Sequence, residues 1–69
     1  MGGLVKRSFS LAGHRTSVAL EPEFWEALAD MAGAGGRTLA TLVAEIDAGR
    51  GSAGNLASAL RVHALSARR

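Results

Sequence analysis

Apolar and polar residues alternate along the first twenty positions, and at the chain's one proline the spacing changes to that of a helix. Thr16, Val18 and Leu20 fall on one face of an extended segment, and Arg15, Ser17 and Ala19 fall on the other. Successive strand side chains point to opposite sides, so one face is buried and one is presented. Upstream, Val5, Arg7, Phe9 and Leu11 alternate more weakly with Lys6, Ser8 and Ser10. Ala12-Gly13-His14 offers a turn between the two runs, since glycine tolerates backbone angles that other residues avoid. Either a hairpin over residues 5–11 and 15–20 or one long ribbon with a glycine bulge satisfies this pattern.

Beyond the proline, Phe24, Trp25, Leu28, Met31 and Ala32 recur at helical offsets and predict a helix from about Pro22 to Met31 or a few residues further. Proline suits the first helical position, and Glu21, Glu23 and Glu26 at that end complement the helix dipole. The glycines of Ala32-Gly33-Ala34-Gly35-Gly36 stop it. Leu39, Leu42, Val43 and Ile46 then repeat at i, i+3, i+4 and i+7, which predicts a second helix capped by Thr38 and ending near Asp47 to Gly49. Arg50-Gly51-Ser52-Ala53-Gly54 reads as a loop, and Asn55 caps a third helix to about residue 66. Its stripe of Leu56, Ala59, Leu60, His63 and Ala64 predicts a partly buried His63. Val62 and Leu65 lie off the stripe, so this helix is expected to pack on the core and on a second subunit.

At 69 residues the chain is one small domain. A core of this size buries only about 60% of the unfolded surface and usually needs a staple or a partner. The absence of cysteine removes disulfides and thiolate metal sites, which leaves self-association. No apolar run has the length of a signal peptide or a membrane span, so the expectation is a soluble, cytoplasmic protein without membrane contact. The net charge of +2 is unevenly placed: all six carboxylates lie between Glu21 and Asp47, with Arg37 the one base among them. Both ends are basic, and in a two-fold dimer the N-terminal cations Lys6, Arg7 and Arg15 double onto one surface that attracts a polyanion.

Strand, proline-started helix, glycine turn and second capped helix resemble a ribbon-helix-helix domain from about Arg15 to Ile46. The strings Gly13-His14-Arg15-Thr16-Ser17, Leu20-Glu21-Pro22-Glu23-Phe24-Trp25, Glu45-Ile46-Asp47 and Asn55-Leu56-Ala57-Ser58-Ala59-Leu60-Arg61 are similar to a bacterial subfamily of small predicted DNA-binding proteins. The resemblance implies a mostly α fold with a short N-terminal β-ribbon, an intertwined homodimer, and a third helix added at the C-terminus. Residues 1–14 would be an arm or extra strand, 15–50 the core, and 51–69 the last helix and a basic tail.

It also implies double-stranded DNA as partner, with Arg15, Ser17 and Ala19 facing the major groove. Arg37 and Thr38 at the start of the second helix, with Lys6 and Arg7, would meet phosphates, because free N–H groups at a helix N-terminus form a ready anion site. Ser17 and Ala19 are short where such ribbons carry long polar side chains, so binding is expected to be mainly electrostatic. Contacts from Arg15, Arg37 and Lys6 of two subunits predict a log-log salt slope of about −5. Replacing Arg15 should weaken binding more than replacing Arg68 in the tail.

Enzyme chemistry finds little support. His14 and His63 are far apart and lack metal-ligand spacing, and no cofactor is indicated. His14, in a glycine turn beside Arg15, is the candidate for an anion or small ligand. Gly33-Ala34-Gly35-Gly36-Arg37 lacks the lysine and spacing of a phosphate loop. The competing reading keeps the dimer without DNA: an interaction module, antitoxin-like or ligand-binding, with the third helix as handle or as the route to higher oligomers.

Overall fold

The structure is a computed structural model, and it describes residues 3–50 and 55–67. Strands β1 (Val5–Leu11) and β2 (His14–Leu20) form an antiparallel hairpin, followed by helices α1 (Pro22–Ala34), α2 (Leu39–Arg50) and α3 (Leu56–Ala67). Of the two strand arrangements the sequence allowed, the hairpin forms. Its loop is Ala12-Gly13, with φ of 52° and 81°. Positive φ at both central residues is the type I′ turn, whose twist matches that of the flanking strands.

The register runs from Leu11 opposite His14 to Val5 opposite Leu20. Opposed residues share a face, so Val5, Arg7, Phe9, Leu11, His14, Thr16, Val18 and Leu20 form the inner side. Leu11, Val18 and Leu20 are buried there, and Phe9 packs against them. Thr16 is half-buried at the rim.

Helix α1 begins at Glu21, whose backbone is extended and whose carbonyl accepts from the amides of Phe24 and Trp25. It continues three residues past Met31 and buries Trp25, Ala27, Leu28 and Ala32. At its end Gly36 takes φ 71°, the Arg37 amide donates to Ala32 O at 2.8 Å, and the Gly36 amide donates to Gly33 O at 3.1 Å. That pair of bonds with a left-handed glycine between them is a Schellman stop.

Both remaining helices carry the caps expected of them. The Thr38 hydroxyl accepts from the Thr41 amide at 3.1 Å, and Asn55 Oδ1 accepts from the Ser58 amide at 2.8 Å. Helix α2 buries Leu42, Val43 and Ile46, while α3 buries Leu56, Leu60 and Ala64. Leu20, Leu28, Val43 and Leu60 are fully enclosed, each burial contributing about 1.5–3 kcal/mol. Both strands and all three helices contribute to this core.

One residue departs from its expected place: His63 is exposed, not partly buried in the core. The buried residues of α3 are Leu56, Leu60 and Ala64, with Ala57 and Ala59 packed against the core beside them, and the imidazole stands exposed at the edge of the stripe. Val62 and Leu65 are 57% and 59% exposed. Apart from Arg50, which closes α2, the loop expected at Arg50–Gly54 lies outside the described residues, as does the basic tail Arg68-Arg69.

Candidate nucleic-acid interface

The outer face of the hairpin carries Lys6 opposite Ala19, Ser8 opposite Ser17, and Ser10 opposite Arg15. Alternation turns these six away from the core; all are exposed except Ala19, which is half-buried. The Ser8 and Ser17 hydroxyls meet at 2.9 Å in the middle of the face. Lys6 and Arg15 occupy diagonal corners, and neither forms an ion pair among the described residues. No acid lies on either strand. Two cations on a polar surface free of carboxylates are suited to phosphate, which supplies most protein–DNA attraction without needing base contacts.

Ser8 and Ser10 were not among the residues expected to meet DNA. The alternation had already placed them with Lys6, but only the hairpin and its register bring them beside Ser17 and Arg15.

The other expected residues lie elsewhere. The Arg7 guanidinium sits on the inner side, 5.6 Å from the Trp25 ring centroid. A groove of about 220 Å³ brings it together with Val5, Trp25 and Glu26 and with Leu39, the first residue of α2. Arg37 does not line it. Its side chain folds back over Gly35 and pairs with Glu45 on α2, at the mouth of a groove of about 350 Å³ that includes Met31, Leu42, Ile46 and His63. His14 is exposed at the hairpin end, and as a sequence neighbour of Arg15 it faces the opposite side of the sheet.

The edge of β2 that pairs with no strand among the described residues opens on a groove of about 580 Å³, lined by Thr16–Ala19 and by Asn55, Leu56, Ala57 and Arg61 at the start of α3. Ala19 is half-buried at this margin. Arg61 closes the far end: its Nε donates to Glu21 Oε1 at 3.0 Å, and its guanidinium lies 5.8 Å from the Phe24 ring centroid. A hydrogen bond from its own backbone, and then the bond from Arg61, hold the Glu21 carboxyl below the ordinary carboxylate range. The described residues bury no polar or charged side chain. They include no cluster of His, Cys, Asp or Glu fit for a metal, and no helix long and apolar enough to cross a membrane.

A family model described as a ribbon-helix-helix domain matches residues 4–67. The match takes in β1 and α3 as well as the strand and two helices between them. No curated protein and no solved structure gives a significant match.

Proposed function

We propose that this chain, which belongs to the ribbon-helix-helix family, is a homodimeric DNA-binding protein: a small, cytoplasmic transcriptional regulator that acts without catalysis. Domains of this family generally bind DNA as dimers. The observation that carries the reading is the outer hairpin face, where Lys6 and Arg15 flank the Ser8–Ser17 hydroxyl pair and no carboxylate intervenes. Two copies joined along β2 turn a doubled face of this kind toward the major groove. The first turn of α2, capped by Thr38, is the second phosphate contact, while Arg7 stays on the Trp25 ring. Arg37 joins only by leaving Glu45.

Because Ser17 and Ala19 are short, affinity rests on charge more than on base reading. Fluorescence anisotropy with a generic duplex across a salt series tests this. Lys6 and Arg15 from two copies give a log-log slope of about −4, and release of Arg37 steepens it toward −5. A flat salt response would refute the reading.

The exposed Val62 and Leu65 favour a second role for α3, as the handle for a protein partner or for assembly beyond the dimer. Absence of duplex binding at low salt, with a partner still captured through α3, would make that role the main one.

A further inference from the structure

Strand β1 covers one edge of β2 along its whole length, from Val5 opposite Leu20 to Leu11 opposite His14. It is held from beneath as well. Trp25 Nε1 donates to the Val5 carbonyl at 2.8 Å, the Phe9 ring lies 5.8 Å from that of Trp25, and Leu11 is buried. Lifting β1 would uncover all of these groups, so the hairpin remains two strands wide when it meets a partner.

A second copy therefore has the other edge of β2 to pair with. In a hairpin closed by a two-residue loop, Leu11 and His14 are the first hydrogen-bonded pair, so the main-chain groups of Arg15, Ser17 and Ala19 point away from β1. They open on the groove between β2 and the start of α3, whose volume of about 580 Å³ admits an extended strand.

Building on the DNA-binding reading, we infer that two copies form a four-stranded sheet in the order β1-β2-β2-β1, and that this sheet rests across the major groove on its phosphate rims instead of entering it. Three strand spacings set the outer strands about 14 Å apart between backbones. The groove is about 12 Å wide and admits a ribbon of two strands. Antiparallel pairing centred on Ser17, the middle residue of β2, puts the two Lys6 residues at diagonal corners with Cα atoms about 20 Å apart. Lys6 is then the anchoring cation on each rim, with Arg15 inside it along the groove walls. Ser8, Ser10, Ser17 and Ala19 are too short to reach base edges at the floor of a groove about 8.5 Å deep. The partner is a B-form duplex recognised by groove width and backbone.

Two experiments on the full chain test this. In the first, Ser17→Cys and Ser8→Cys variants are treated with a short bismaleimide without DNA. Cross-linking of the first and not the second is expected; cross-linking at Ser8→Cys alone, or at neither, overturns the strand order. In the second, low-salt affinity is compared between a generic duplex and one whose purines are all 7-deaza analogues, which lack the N7 acceptors of the groove floor. The expected change is below about twofold, while Lys6→Ala weakens binding at least as much as Arg15→Ala. A loss of about tenfold or more on 7-deaza substitution overturns the platform and leaves DNA binding standing. Failure to bind either duplex overturns both.

Discussion

Arg7 and Arg15 sit on neighbouring strands of one hairpin and end in opposite situations. Arg7 lies over Trp25 on the inner side, while Arg15 stands on the outer side with no ion pair among the described residues. The two differ in strand parity and in little else. A position opposite Val18 places a guanidinium on an indole, and one opposite Ser10 gives it to whatever meets the face. Charge on this chain is therefore informative only after the register is known: one arginine stabilises the sheet and the other is available to a ligand.

The inner side should be the easier of the two to break. Trp25→Ala, at a site 4% exposed, is expected to cost about 3–5 kcal/mol in urea denaturation, enough to unfold much of so small a domain. Trp25→Phe keeps one ring but loses the bond to Val5 O and part of the buried volume, so about 2 kcal/mol is expected. Equal losses in the two variants would mean that packing around the indole is not what secures β1.

The outer side answers to binding. Arg15→Ala should flatten the log-log salt slope by about two, one unit for each copy. Stability should stay within about 0.5 kcal/mol. Arg7→Ala should do the reverse, losing about 0.5–1 kcal/mol of stability with the slope nearly unchanged. If both variants flatten the slope equally, Arg7 leaves Trp25 for phosphate and the contrast between the faces fails.

The loop that sets the parity gives a smaller effect than loss of the whole Trp25 side chain. Gly13→Ala at φ 81° should cost about 1–2 kcal/mol, read as a lowered melting temperature.

Smallest is the tie between Glu21 and Arg61. The carboxyl is held below its ordinary value, so its contribution is present above the unfolded pKa and is lost as pH falls through the folded one. Glu21→Gln should therefore lower the neutral-pH melting temperature slightly and bring the two proteins together in acid, so the drop on acidification shrinks by the same amount. An identical acid limb in both proteins would show that the pair does not act on stability.

The helices were legible because their signals are local. Pro22, Thr38 and Asn55 mark the three starts, and each cap or first turn is satisfied within four residues. The inward set Val18 and Leu20 followed from alternation alone. The hairpin was not legible, because Ala-Gly is a weak type I′ signal beside Asn-Gly, and Ala12 must accept a positive φ that alanine seldom takes. Arg37 could not be placed either: its partner Glu45 lies eight positions on and becomes a neighbour only when Gly36 turns the chain. His63 is the exception on its stripe: Leu56, Ala59, Leu60 and Ala64 pack on the core as the spacing implies, and helical spacing alone does not show that the fifth position lies at the exposed edge.

The joint between β1 and α1 also makes the protein its own reporter. The chain has one tryptophan and no tyrosine, so its intrinsic emission comes essentially from a single indole. That indole has its N–H on the Val5 carbonyl and a guanidinium near its ring. Solvent reaching the ring would red-shift the light, and departure of Arg7 would change its intensity. An unlabelled titration with duplex DNA can therefore follow whether the N-terminal strand stays seated at the moment of binding.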